Sequence, residues 1–145
     1  MNEAPEILLV EDNPHDEELT LHALKQHKLA NRIQVVRDGA EALDYIFGNG
    51  QYAGQEQKTH PRVVLLDLKL PKVDGLEVLR RLKENPDTRR IPVVMLTSSR
   101  EERDVIASYE SGVNSYITKP VDFEQFTEAV KTLGLYWLLL NEPPV

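Results

Sequence analysis

Glu11 and Asp12 form an adjacent pair of carboxylates, Asp67 offers a third, and Thr97 and Lys119 add a hydroxyl and an ammonium. Each of these groups stands at the end of a short strand-like run. Three carboxylates in one cleft would repel each other by about 4 kcal/mol per pair at about 4 Å and an effective dielectric near 20. A hard divalent cation relieves that repulsion, and Mg²⁺, or Mn²⁺ in its place, takes oxygen ligands and tolerates a partly hydrated site. With a cation screening the approach of one anion to another, Asp67 can act as a nucleophile toward a phosphoryl donor and become an acyl phosphate. Thr97 would then donate a hydrogen bond to one phosphoryl oxygen and Lys119 would pair with another. Taken singly, each residue has an ordinary explanation. Asp67 could be a turn residue, Glu11 and Asp12 could complement a helix dipole, and Thr97 and Lys119 are common at strand ends. Asp16, Glu17 and Glu18 already supply the acidic first turn of the following helix, so Glu11 and Asp12 are left for metal binding.

The elements that must hold these groups can be read from the apolar pattern. Strands are expected at Ile7 to Val10, Ile33 to Val36, Val63 to Leu66, Val93 to Leu96 and Ser115 to Thr118. Helical spacing fills residues 14–28, 39–48, 75–84, 100–111 and 122–140 between and after them. Asn13 before Pro14 reads as an N-cap followed by proline at the first helical position, Asp122 with Gln125 resembles a capping box, and Gly112 suits a helix C-terminus. Strict alternation of strand and helix predicts an α/β fold, a doubly wound parallel sheet covered on both faces. In such sheets ligands collect at the carboxyl ends of the strands, which is where every candidate residue falls. The polar stretch 48–61 is expected to be a long surface loop, and it lacks the Gly-Lys-Ser/Thr ending of a phosphate-binding loop.

The 145 residues suit one domain over 1–145, with a core at about 6–131. A net charge of −7 without a basic block argues against nucleic acid as a partner. The absence of cysteine excludes disulfides and thiolate metal sites, and the N-terminus lacks the pattern of a signal peptide, so a cytoplasmic location is expected. The longest apolar run, LYWLLL at 135–140, is far shorter than the roughly 20 residues that span a bilayer, so no membrane span is expected. His15, His22, His27 and His60 show no metal-ligand spacing.

The segments ILLVEDNPHD, VVLLDLKLPKVDGLEVL, IPVVMLTSS and SYITKP, in this order, resemble the receiver domain of two-component response regulators. The resemblance implies a flavodoxin-like (βα)5 sheet with strand order 2-1-3-4-5. It also implies that Asp67 is the phosphoacceptor, that Glu11 and Asp12 are the acidic pair, and that the main-chain carbonyl of Lys69 is a further metal ligand. Thr97 becomes the switch hydroxyl, Tyr116 the switch aromatic, and Lys119-Pro120 a cis peptide. The fourth helix, fifth strand and fifth helix become the signalling face. The YWLLLNEPP ending, the long loop after the second helix and NPDTRRIPVV are similar to stand-alone receivers that partner bacterial and cyanobacterial phytochrome histidine kinases.

With no output module expected after Pro120, action by docking or by phosphate relay is implied, with an unidentified downstream target. Phe123, Phe126, Val130, Leu133, Trp137 and Leu140 recur at spacings of three and four along one extended last helix, with Gly134 permitting a bend or close approach. This helix predicts a homodimer interface including Phe126, Tyr136, Trp137 and Leu140, the alternative being a tail folded back on its own domain. Two other readings compete. One is a dimeric scaffold that keeps these motifs without being phosphorylated. The other is a phosphatase of the haloacid dehalogenase type, which would require an aspartate where Lys69 stands.

Overall fold

The computed structural model describes residues 6–26, 33–53, 60–108 and 115–135. Within them five strands, β1 (Ile7–Val10), β2 (Ile33–Val36), β3 (Val63–Asp67), β4 (Val93–Thr97) and β5 (Ser115–Thr118), pair in parallel in the order β2-β1-β3-β4-β5. The helices are α1 (Pro14–Gln26), α2 (Gly39–Phe47), α3 (Gly75–Glu84), α4 (Arg100–Ser108) and α5 (Phe123–Thr132). The expected sheet and its order are therefore present, and β3 and β4 each run one residue further than expected, to Asp67 and Thr97.

The central strands β1, β3 and β4 are apolar apart from Asp67 and Thr97 at their ends, because a parallel sheet is buried on both faces and successive residues serve opposite faces. The edge strands β2 and β5 are mostly half-buried and carry Gln34, Ser115 and Thr118. Leu8, Val10, Val64, Leu66, Val93 and Met95 pack with α2 and α3 through Ile46, Val78, Leu79 and Leu82. The intervening residues Ile7, Leu9, Val63, Leu65, Val94, Leu96 and Ile117 pack on the other face with Leu24 of α1 and Phe126 and Val130 of α5. This alternation decides toward which face each strand-end group points.

The local signals at the helix starts hold. The Asn13 side chain accepts from the backbone N–H groups of His15 and Asp16 at 2.9 and 3.0 Å. Asp122 accepts from the Gln125 N–H at 2.8 Å, but the Gln125 amide reaches mainly to β5, exchanging hydrogen bonds with the backbone of Thr118, so only half of a capping box forms. The loop expected at 48–61 begins with a 3₁₀ turn, Gly50–Tyr52, because the Tyr52 ring packs edge-on to Tyr45 and its hydroxyl donates to Glu41 at 2.8 Å. Gly112 lies outside the described residues.

The extended last helix is corrected. α5 ends at Thr132, where the Gly134 N–H bonds to the Lys131 carbonyl at 3.0 Å and the Leu135 N–H to the Val130 carbonyl at 2.7 Å. Gly134 has φ +74°, so these bonds form a Schellman closure that terminates the helix rather than bending it. Phe126 is also corrected as an interface residue. It is fully buried against its own sheet and offers nothing to a second molecule. Tyr136, Trp137 and Leu140 lie outside the described residues. Among the described residues no helix is long and apolar enough to cross a membrane.

Gly75 opens α3 directly against the end of β3. A Cβ there would lie 2.2 Å from the Asp67 carbonyl oxygen and 2.8 Å from that of Leu68, both backbone atoms that cannot swing away. Gly75→Ala is expected to destabilise the fold by about 1–3 kcal/mol through this overpacking. Urea unfolding checks it, and an unchanged midpoint would show that the loop can move aside freely.

Candidate functional site

Register brings the candidate residues together. Val10 pairs with Leu66, so Glu11 and Asp67 follow side by side; Asp67 pairs with Leu96, and Thr97 with Thr118, so Thr97 and Lys119 continue the same edge. Alternation then sorts them. Asp67 shares the face of Val63 and Leu65, and Lys119, two residues after Ile117, reaches Glu11 and Asp67 there. Thr97 shares the opposite face with Val93 and Met95, and so does the ring of Tyr116.

On the first face one oxygen each from Glu11, Asp12 and Asp67 lies within 4.8 Å of the others, with Glu11 and Asp67 buried and Asp12 exposed. The Lys119 ammonium donates to Glu11 Oε1 at 3.2 Å, Asp67 Oδ2 at 3.1 Å and Asp16 Oδ2 at 3.1 Å. Asp16 is thus drawn into the site, although in sequence it reads only as helix-dipole charge. The available signal was its position one turn after Asp12 on a helix that starts at Pro14. Its neighbour Glu17 turns away to Arg37, at 3.1 Å.

Lys69 follows Asp67 by two residues in the β3–α3 loop, and its side chain points to Glu102 of α4 at 3.3 Å. The Glu102 carboxylate also accepts from the Ser98 N–H at 2.8 Å, so one acid ties the loops after β3 and β4 together. The haloacid dehalogenase reading needs a carboxylate at position 69, and the ammonium there is engaged elsewhere. The Lys119–Pro120 peptide is cis. The half-buried Tyr116 carries the Arg103 guanidinium 4.9 Å over its ring. Thr97 is wholly buried, and its hydroxyl is one of two buried side-chain polar atoms among the described residues without a hydrogen-bond partner, the other being Thr127.

Four carboxylates, Glu11, Asp12, Asp16 and Asp67, thus face one ammonium. Burial first, then the adjacent Asp67, push the Glu11 carboxyl up from its ordinary 4.5 to about 8, against the pull of Lys119. Burial opposes the Lys119 charge, but Asp67, Asp16 and Glu11 outweigh it and hold the ammonium above its usual range. The surplus of buried negative charge and the all-oxygen donor set fit a hard divalent cation.

The raised Glu11 value also sets a pH dependence. Without metal, the folded chain keeps a proton on Glu11 between pH 4.5 and about 8 that the unfolded chain has released. The resulting stability is complete below the unfolded value and is lost as pH rises through about 8. Glu11→Gln, which has no such proton, is expected to gain on the wild type as pH rises across that window. Urea unfolding in chelator at several pH values checks this, and a difference constant with pH would show Glu11 ionised throughout.

Comparison with known proteins agrees with this geometry. Residues 7–131 match the response regulator receiver domain family. Response regulator Rcp1 of Synechocystis sp. is 44% identical over 132 residues, covering 91% of this chain and 88% of Rcp1. The structure of the bacteriophytochrome response regulator AtBRR superposes with a TM-score of 0.89 at 59% identity, covering 97% of this chain and all of that one. The phosphorylated cyanobacterial phytochrome response regulator RcpA gives 0.73 at 40% identity, and the Mn²⁺-bound form of Rcp1 gives 0.72 at 41%; each covers 99% of this chain and all of the other. With the matched motifs converging on one sheet edge, the chain belongs to the family of response regulator receiver domains, and its relatives include phytochrome response regulators.

Proposed function

We propose that this receiver accepts a phosphoryl group on Asp67 from a sensor histidine kinase of the phytochrome type, in a reaction that depends on Mg²⁺. The observation that carries this reading is the pairing of Asp67 Oδ2 with Lys119 at 3.1 Å, with the unpartnered Thr97 hydroxyl buried at the end of the adjacent strand β4. Asp67 would be the nucleophile, and Lys119 and Thr97 the donors for the group it receives. The kinase type is supported by the relatedness to Rcp1, RcpA and AtBRR.

Glu11, Asp12 and Asp67, with the main-chain carbonyl of Lys69, would hold Mg²⁺, and Mn²⁺ could replace it. The cation supplies charge neutralisation between the attacking carboxylate and the incoming phosphoryl oxygens. An Asp67 carboxylate oxygen attacks phosphorus, the new O–P bond forms as the P–N bond to the donor imidazole breaks, and the departing electron pair stays on the imidazole nitrogen. Lys119 follows the charge onto a phosphoryl oxygen. Thr97 donates its hydroxyl to another, ending a buried vacancy that costs about 1–3 kcal/mol while unfilled. Movement of Thr97 opens space for Tyr116 on the same face of the sheet, and the α4–β5–α5 surface changes with it. A full switch from 1:99 to 99:1 needs about 5.5 kcal/mol, more than one hydroxyl supplies, so Lys119 and the loops must contribute. Self-association through the segment with Tyr136, Trp137 and Leu140 completes the reading and is supported by the apolar composition of 135–140.

Incubation with acetyl phosphate is expected to add one phosphoryl mass to the wild type with Mg²⁺ and none in chelator or in Asp67→Asn. Sizing chromatography of the same samples reads self-association. An adduct that survives Asp67→Asn would overturn the assignment, and no adduct under any condition would favour an unphosphorylated scaffold. Thr97→Ala is expected to accept phosphate yet lose most of the change in Tyr116 environment, read by tyrosine ring NMR signals on phosphorylation. A wild-type response in that variant would remove Thr97 from the switch.

A further inference from the structure

We propose that Asp16 is a positioning residue for Lys119, a third anchor that keeps the ammonium at the site when its other two partners are engaged. The inference rests on the phosphoacceptor reading of Asp67 and adds a residue to it.

Lys119 has three N–H bonds to donate, and three carboxylates receive them: Glu11, Asp67 and Asp16. The first two belong to the oxygen cluster suited to a cation, and Asp67 is also where the phosphoryl group would attach. Cation binding and phosphorylation therefore draw on the same two carboxylates that Lys119 now uses. Asp16 stands outside that cluster, so its bond to Lys119 can persist in every state.

The anchor is itself fixed. Asp16 lies in the first turn of α1, where its backbone N–H is capped by the Asn13 side chain at 3.0 Å. The pair is sheltered too, with side chains 13% and 29% exposed for Lys119 and Asp16. An ion pair in such a place is screened far less than one in open water. Lys119 has a long, flexible stem. With Asp16 removed, engagement of Asp67 and Glu11 by a cation would leave the ammonium without a carboxylate partner of its own. Its position relative to the attacked phosphorus would spread, and misplacement by about 1 Å is enough to slow a reaction substantially.

The test compares Asp16→Ala and Asp16→Asn with the wild type, in the full chain and again in a Lys119→Met background. Phosphorylation by acetyl phosphate is followed at saturating Mg²⁺ and across a Mg²⁺ titration. Asp16→Ala is expected to lower the maximal rate about tenfold, the scale of one charge-assisted hydrogen bond, while the Mg²⁺ half-saturation point stays put. Asp16→Asn keeps an oxygen acceptor and is expected to recover part of the rate. In the Lys119→Met background neither change should have a further effect, since a residue acting only through Lys119 has nothing left to position. A merely structural role would lower the unfolding midpoint and would persist in that background, which overturns the proposal. A shifted Mg²⁺ half-saturation with an unchanged maximal rate also overturns it, placing Asp16 in the metal site instead. The ¹⁵N-detected Lys119 ammonium signal gives an arm independent of phosphorylation: it should be slowly exchanging in the wild type and lost in Asp16→Ala. If the wild type takes up no phosphate, this signal still decides whether the anchor exists, separating failure of the anchor from failure of the phosphoacceptor reading.

Discussion

Among the described residues the Lys119 ammonium is the one positive charge set among Glu11, Asp16 and Asp67, and the geometry at this edge of the sheet depends on it. Each partner comes from a different part of the chain: the end of β1, the first turn of α1 and the end of β3. The lysine itself follows β5, two strands from β3 across the sheet. Two buried carboxylates beside each other would be costly without a counter-charge, and a buried ammonium would be equally costly without them. Burial first, and then Asp67, raise the Glu11 carboxyl despite the ammonium, which leaves a deficit of positive charge among the carboxylates. The same deficit makes the cluster receptive to a divalent cation.

The alternation of side chains along the strands divides the site into two chemical halves. Glu11, Asp67 and Lys119 occupy the face shared with α1 and α5, where charge is gathered. Thr97 and Tyr116 belong to the face covered by α2 and α3, and Arg103 of α4 lies against Tyr116. An event at Asp67 thus has to pass through the sheet edge to be felt on the other side. Thr97, the last residue of β4 and next to the end of β3, is placed to carry it. Its buried hydroxyl without a partner is a local cost of the present arrangement, and such costs make an element responsive to a new ligand.

The end of α5 shows how a correct pattern can lead to the wrong element. Phe123, Phe126, Val130 and Leu133 do form an apolar stripe, and all four pack on the face of the sheet shared with α1. The stripe is the inner face of a covering helix, with Phe126 and Val130 fully buried in it. Its apparent continuation past Thr132 ignored a residue able to close the helix. Gly134 adopts a positive φ without a Cβ penalty, and that freedom favours a Schellman turn over another helical residue.

The sequence alone determined the sheet, its buried strands and the starts of the helices. Those features depend on local apolar periodicity and on short-range caps such as Asn13 and Asp122, which involve only near neighbours. It also exposed Glu11, Asp12, Asp67, Thr97 and Lys119, because a polar group ending an apolar run is visible at any distance from its partners. Tertiary structure decided which of these groups touch. Strand register set Glu11 beside Asp67, and the turn of α1 aimed Asp16 at Lys119, 103 residues away in the chain. The turn of α1 also sent Glu17 to Arg37 and left the neighbouring acids with different fates. Such pairings arise from long-range packing of rigid elements, whose relative placement no local pattern encodes. For that reason Asp16 could be read in sequence only as one more acid at the start of a helix.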